Sequence, residues 1–445
     1  MSATDLEIAY TTHSQIQAKN GLQQLVLAHH TEIEEVQNIP CFFWGSMVEP
    51  LVVAKCLGTI AKIVRSSYTP VPVKLYDPIV STGTEQIRFE GFSSCNGIYA
   101  RLDLLENAVE GEFIASGTTN VDFNEPMLNA LNVVKKNEVM VLGVGEKEVK
   151  VSTSQGTITE KKVKLPQRWI KGLTSVQVYL ADMTEKFELN KLQTIQLLQS
   201  IPKGKSLSSF YLSFRANRYQ FSPIATANSV YIGGIERLQL LLGLLPYIEK
   251  SKIYQAIDGE SCAICLYLSH MRFTLALSPA NNRGFSGEGN ILENMLQDIP
   301  LEYIHAVNGL CKANENFNPT LLSIEHAIDF QKMDSLTHSL SAIGLLGFDL
   351  HNRQHYYRRL PFKMERILLL NPRLKNAKNL VKNNGIQLIK NNVGDIEAQV
   401  TGTDVIHTVI IKNGQAKCTC EWFNQHQTKR GLCKHILAVK IATNP

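Results

Sequence analysis

Three cysteines and one histidine near the end of the chain have the types and spacing to hold a metal ion: Cys418-x-Cys420, twelve intervening residues, then Cys433-x-His435. Three thiolates and one imidazole complete a tetrahedral shell and leave no position for a substrate water, which is the pattern of one structural Zn²⁺ and not of a catalytic one. His426 lies in the intervening loop and competes as fourth ligand, although nothing is spaced to pair with it. Lys417, Lys429, Arg430 and Lys434 surround the ligands. These cations either offset the net negative charge of a Cys₃His site or face a phosphate.

The elements that must position these ligands follow from their spacing. Side chains at i and i+2 share one face of a strand, so Cys418 and Cys420 can grip one ion if "QAKCTC" is extended. Asn413-Gly414 between β-branched, alternating residues predicts a hairpin leading into that strand. On a helix, i and i+2 point nearly opposite ways, so a helix must begin between Cys433 and His435. The prediction is a ββα module closing on one ion, with metal binding worth about 10–16 kcal/mol apparent in zinc-finger peptides holding it folded.

A second candidate site lies just upstream. Residues 351–392 carry ten Lys or Arg and one acid, Glu365, and Tyr356, Tyr357 and Phe362 interleave with the first cations. Phosphate tracking with base stacking needs this mixture. Arg353, Arg358, Arg359, Lys363 and Arg366, with Lys429, Arg430 and Lys434 of the metal module, are therefore the candidate nucleic-acid contacts. A helix before Gly344 followed by strands around "HNRQ" suggests a winged-helix-like unit; the bland alternative is a solvated hairpin and linker.

Charge distribution agrees with a polyanion-facing end. The 445 residues carry a net +5, but residues 351–445 hold 16 Lys+Arg against 5 Asp+Glu, and residues 1–350 hold 29 against 35. The basic character belongs to the C-terminal fifth. Nine irregularly spaced cysteines argue against a disulfide framework and for a reducing compartment. The N-terminal residues lack a signal-like pattern, and apolar runs such as "LLLGLLPYI" are far shorter than the ~20 residues of a membrane span. A cytoplasmic protein without membrane contact is expected, and the oligomeric state is left open.

The length predicts two or three packed units. The fold class expected is α+β, multi-domain, with the ββα zinc module at the C-terminus. Residues 1–170 read as helical to about residue 75 and then β-rich, with strands at "QIRFEGF", "GEFIASG", "EVMVLGV", "KEVKVST" and "TITEKKVKL" and a hairpin in "KVSTSQGTIT". Residues 171–350 read as mixed, with helices in "SVQVYLADMTEKF", "LNKLQTIQLLQSI" and "GIERLQLLLGLLPYIEK". Residues 351–395 form a basic hairpin and linker, and residues 396–445 the finger.

The remaining motifs have bland readings. Cys262-x-x-Cys265 sits in an apolar strand that would point the two sulfurs to opposite faces, so both are expected in the core. "LGVGEKE" is a tight turn, Ser200-x-x-Lys203 lacks its companion motifs, and "RGFSGEGN" is a loop that could cradle an anion. Trp44 and Trp169 are expected to fill cores or domain junctions. No catalytic set emerges, so a non-enzymatic protein is expected.

The pattern "CTCEWFNQHQTKRGLCKHILAV" resembles the SWIM zinc finger, most closely in "CKHILAV". The family's ligand positions fall on Cys418, Cys420, Cys433 and His435 without departure. "CFFWGSMVEP", "GTTNVDFN", "LPQRWIKG", "RGFSGEG" and "GFDLHNRQHYYRRLPF" extend the resemblance to the larger bacterial SWIM zinc-finger proteins. The resemblance implies DNA or protein binding by the finger. It also implies an alternative role as an interaction adaptor in a system with a MoxR-like AAA ATPase and a von Willebrand A-domain protein.

Overall fold

The computed structural model describes residues 6–9, 15–19, 22–27, 29–30, 42–69, 78–121, 123, 125–144, 162–165, 167–204, 208–257, 259–279, 284–285, 303–304, 306–307, 317–358, 360, 372–403, 405–427 and 431–443. The first part supplies β1 (Leu6–Ala9), β2 (Gln15–Lys19), β3 (Leu22–Leu27), β4 (His29–His30), β5 (Phe43–Met47), α1 (Pro50–Arg65), β6 (Ile79–Thr82), β7 (Ile87–Phe92), β8 (Ile98–Leu104), β9 (Val109–Phe113), β10 (Gly117–Val121), α2 (Glu125–Val133) and β11 (Val139–Val144). Next come β12 (Lys162–Leu165), α3 (Gln167–Ala181), β13 (Met183–Asn190), α4 (Lys191–Gln199), β14 (Phe210–Arg215), β15 (Arg218–Ser222), β16 (Val230–Ile232), β17 (Lys250–Ala256), β18 (Cys262–Leu268) and β19 (Met271–Leu277). The remainder is α5 (Pro319–Glu325), α6 (Phe330–Ala342), β20 (Leu346–Asp349), β21 (Gln354–Tyr357), α7 (Pro372–Lys382), β22 (Ile386–Asn392), β23 (Asp395–Thr401), β24 (Ile406–Lys412), β25 (Gln415–Cys418), α8 (Glu421–His426) and α9 (Lys434–Thr443). The class is α+β, and the finger hairpin and helix stand at the C-terminal end.

A nine-stranded sheet in the order β13-β17-β18-β19-β8-β7-β6-β10-β4 organises the body. Its strands come from both sides of residue 170, with β19 paired to β8 from Met271↔Leu104 to Leu277↔Ile98. The boundary expected at 170 is therefore not a break: one apolar core runs through both regions and takes in Phe348, Leu350 and Leu360 of the segment beyond.

Both faces of the central strands are buried, and they differ in chemistry. Ile87 and Phe89 of β7, Leu102 and Leu104 of β8 and Phe273 of β19 are buried on the apolar face, and α1 covers it. Pro50 opens that helix, and Val53, Ala54, Leu57, Ile60, Ala61 and Val64 form its buried stripe. The opposite face carries rows of charge across the same strands: Arg88, Asp103 and Arg272 in one register row, then Glu90, Arg101 and Thr274 in the next. The β20–β21 hairpin and Gln177 of α3 close over this face. Arg101 donates to the Phe348 carbonyl at 2.6 Å, Arg272 pairs with Asp349 at 2.9 Å, and the Phe348 N–H donates to Gln177 at 2.9 Å.

Several expectations need correction. The described residues up to about 75 are not mostly helical: α1 is the only helix among them, and β1, β3 and β5 pair with β12 and β11, partners far along the chain that local pattern does not reveal. "SVQVYLADMTEKF" splits into the end of α3 and the start of β13. "GIERLQLLLGLLPY" forms a 3-10 helix, Ile235–Tyr247, because Ile235, Leu238, Leu241 and Leu244 are buried at a spacing of three, the period of that helix. Trp169 fills the core as expected, whereas Trp44, on β5, is 37% exposed. "KVSTSQGTIT" and "KEVKVST" lie outside the described residues.

The C-terminal unit has its own core. A four-stranded antiparallel meander, β22-β23-β24-β25, packs Ala398, Val400, Val409 and Ile411 against Leu374 and Ala377 of α7 and Ile436, Leu437 and Val439 of α9. The metal module is thus part of a larger unit that begins at α7, and the expected division at 396 falls inside its sheet.

Candidate metal centre

The hairpin that presents the first two cysteines forms where the sequence requires it. Strand β24 pairs with β25 as Val409↔Cys418, Ile410↔Lys417, Ile411↔Ala416 and Lys412↔Gln415. Asn413 (φ 48°) and Gly414 (φ 77°) occupy the turn, and two positive φ values in succession are what Asn-Gly tolerates best. The ladder continues past β25 through Thr419 N–H to Thr408 O at 3.1 Å, so Cys418 and Cys420 share a face. The second pair comes from a helix start, as the spacing demands. Helix α9 begins at Lys434, the Cys433 carbonyl accepts from Leu437 N–H at 3.1 Å, and the Cys433 sulfur accepts from Ile436 N–H at 3.5 Å.

These pieces gather four ligand atoms within 4.8 Å of one another. Cys418 Sγ stands 3.7 Å from His435 Nδ1, and the Cys420 N–H donates to Cys418 Sγ at 3.4 Å. A tetrahedral Zn²⁺ with bonds of about 2.3 Å to sulfur would set two sulfurs about 3.8 Å apart, so the cluster fits one ion with small adjustment. All four residues are 5% exposed or less, and neither His435 nitrogen has an oxygen partner among the described residues. Strand, turn and helix each contribute a ligand, so a bound ion would tie them together; its chemistry is structural, with every position filled by protein.

The electrostatics of the cluster point the same way. Cys433 is pushed down to about 4, first by the hydrogen bond from Cys418 and against burial, with His435 and the Ile436 N–H assisting. Cys418 is pushed up by donating to Cys433 and then by burial, and Cys420 is pushed up by burial. One thiolate at the start of a helix forms readily, and the other two are held back by its charge. A dication removes that opposition and lets all three ionise.

Around the ligands, Arg373 of α7 donates to the Leu432 carbonyl at 3.1 Å and lies 4.5 Å over the Trp422 ring. His426 packs edge-on against Trp422 and is not in the ligand cluster, so the competing assignment of His426 is not supported. His407 stacks on His435 with ring centroids 4.3 Å apart. Lys434 is half-buried at the start of α9, and Lys429 and Arg430 lie outside the described residues.

The upstream cationic candidates fare differently. Arg358 is a correction: its guanidinium is fully buried, binds both Glu90 oxygens at 2.5 and 2.6 Å, and donates to Leu173 O at 3.0 Å. Tyr356 is 4% exposed, with Arg88 3.7 Å over its ring, and cannot stack on a base. Arg353 hydrogen-bonds to the Met183 carbonyl and sits 5.3 Å over the Phe348 ring. The hairpin is a lid on the charged sheet face and not the wing of a winged helix. Arg359, Lys363 and Arg366 lie outside the described residues. Three lysines counted in the basic segment but not named as contacts stand on α7, where Lys375, Lys378 and Lys382 recur at helical spacing on the exposed face. The signal that could have found this surface is the helical period of Leu374, Ala377 and Val381 on the opposite side.

Other motifs settle as core or turn. Burial pushes the Cys262 thiol up to about 12 and the Cys265 thiol up to about 11, and both are inert in the sheet core. Ser200 donates to Leu197 O at 2.7 Å, a helix-end bond. Of "RGFSGEGN" only Gly284 and Phe285 are described, so its anion-cradle reading lies outside the described residues.

Comparison with known proteins adds to this geometry at one point. No curated protein matches the chain. Among solved structures, Proliferating Cellular Nuclear Antigen from Entamoeba histolytica aligns over 54% of this chain and 99% of its own, at 10% sequence identity and a TM-score of 0.35, a likeness too remote to carry fold or function across. Residues 407–444 match the SWIM zinc finger. That span holds β24 from its second residue, β25, α8, α9 and all four candidate ligands, so the C-terminal unit of this chain carries a SWIM zinc finger able to hold one zinc ion through Cys418, Cys420, Cys433 and His435.

Proposed function

We propose that this is a non-enzymatic, cytoplasmic zinc protein whose C-terminal unit binds nucleic acid through its phosphate backbone. The observation that carries the reading is the α7 surface: Lys375, Lys378 and Lys382 form one exposed stripe, with Asn376 and Asn379 between them and no acid on the helix. Arg373 fastens the same helix to the finger, so the stripe and the finger move as one body. Residues 372–443 hold 11 Lys+Arg against 4 Asp+Glu, a net +7, and Lys429, Arg430 and Lys434 belong to that total. Lysines at the surface act as point charges, which favours sequence-tolerant phosphate contact over base reading.

Fluorescence anisotropy with labelled duplex DNA and RNA across a salt series tests this. Each phosphate contact adds about −0.9 to the log–log salt slope on duplex DNA. Absence of binding at low salt overturns the reading. A second reading, an interaction adaptor serving an AAA ATPase and a von Willebrand A-domain protein, is favoured by the acidic body, 29 Lys+Arg against 35 Asp+Glu over residues 1–350, which offers a separate surface to protein partners.

A further inference from the structure

The second sheet of the body, in the order β2-β3-β11-β5-β9, ends among the described residues on the unpaired edge of β9. Strand β9 pairs with β5 as Met47↔Val109, Gly45↔Gly111 and Phe43↔Phe113. The Val48 N–H donates to Ala108 O at 3.0 Å and the Ile114 N–H donates to Phe42 O at 2.8 Å. Inward bonds therefore fall on the even-numbered residues, and antiparallel alternation turns the N–H and C=O groups of Val109, Gly111 and Phe113 outward. Among the described residues no strand pairs with them. "VEGEF" carries no lysine or proline to blunt the edge, and Gly111 leaves its backbone uncovered. That glycine is required from the inside, because a Cβ there would lie 2.3 Å from the Trp44 carbonyl oxygen.

Beside this edge lies a cavity of about 450 Å³. Val48, Val109 and Phe113 give it an apolar floor, and Glu85, Glu106 and Glu110 give it an acidic rim. The three carboxylates are exposed, and Glu112 extends the same charge along the strand.

We propose that the β9 edge accepts an extended, basic segment of a partner protein as an added strand, with a lysine or arginine side chain entering the Glu85–Glu106–Glu110 cavity. Main-chain hydrogen bonds supply the pairing and the cavity selects the side chain. The alkyl stem of a lysine or arginine covers the apolar floor while its charge reaches the rim. A second copy of this chain is a poor occupant, because antiparallel pairing of β9 with itself about Gly111 would set Glu110 of each copy opposite Glu112 of the other.

The test uses the full, zinc-loaded chain and a labelled peptide alternating lysine with valine, read by anisotropy. The same peptide is made with backbone N–H groups methylated at every second residue, in each of the two phases. Strand addition uses one edge of the peptide, so one phase should bind about tenfold more weakly and the other should bind like the parent. Glu85→Gln/Glu106→Gln/Glu110→Gln should also weaken binding about tenfold, while Glu185→Gln/Glu188→Gln on the β13 edge should not. No binding, equal binding of both methylated phases, full binding by the triple variant, or a dimer of the chain that the peptide fails to dissociate would each overturn the proposal.

Discussion

The Arg358–Glu90 pair decides whether the basic hairpin serves the core or a polyanion. Both side chains are fully buried, and Glu90 also accepts from the Tyr99 hydroxyl at 2.5 Å and from Gln177 at 3.3 Å. Burial pushes the Glu90 carboxyl up, but Arg358, the Tyr99 hydrogen bond and Arg101 together bring it below its ordinary value, so the charge is retained. Arg358→Met keeps the volume and strands that charge. Removing one partner of a buried pair costs about 3–5 kcal/mol, a large share of the roughly 5–15 kcal/mol that holds a domain. Arg358→Met/Glu90→Leu removes both charges and should be less destabilised than the two single variants summed, with a coupling of about 2 kcal/mol. Urea unfolding of the zinc-saturated protein, followed by circular dichroism, measures all three variants. Nucleic-acid affinity and its salt slope should stay at the parent values for any variant that remains folded. An Arg358→Met protein with an unchanged urea midpoint and a salt slope reduced by about one would refute the buried-pair argument.

Three further outcomes are expected. Cys433→Ser should lower bound zinc from one per chain to none and remove amide protection from β24 through α9 while the nine-stranded sheet keeps its own, as measured by elemental analysis and hydrogen exchange. Lys375→Gln/Lys378→Gln/Lys382→Gln should reduce the salt slope on duplex DNA by up to about 2.7, at about 0.9 per contact, without loss of zinc. His355, pushed down to about 4 by burial and by nearby His338, binds no proton over a range where the unfolded histidine, at about 6.5, does. Its contribution is therefore fully present above pH about 6.5 and lost as pH falls toward 4, by about 3 kcal/mol. His355→Phe, which keeps the contacts with Phe317 and Phe348, should flatten urea midpoints across that window.

The metal centre was legible because everything that builds it is local. Two i, i+2 pairs, an Asn-Gly turn and a helix start fall within thirty-one residues, from Asn413 to Thr443, and the geometric rule for each is independent of the rest of the fold. The first strands were not legible for the opposite reason. Strand β3 runs parallel to β11, more than a hundred residues away, and a strand whose partners are distant carries little local signature. Arg358, beside the β20–β21 hairpin, misled for a related reason: Glu90, which neutralises it, stands 268 positions earlier in the chain, so a charge tally of the basic segment alone saw only excess. The 3-10 run at Ile235 could have been found by testing period three beside 3.6.

The sheet that spans residue 170 also governs how the molecule can be divided in the laboratory. A fragment ending near 170 would strip β19 from β8, expose seven residues of unpaired ladder and uncover Arg88, Arg101 and Asp103 at once. Such a piece should aggregate on expression. The serviceable cut lies between Leu360, which completes the body core, and Leu374, which with the small side chain of Ala342 from α6 begins the core of the metal unit; fragments divided there should each stay in solution, the smaller one only when zinc is supplied.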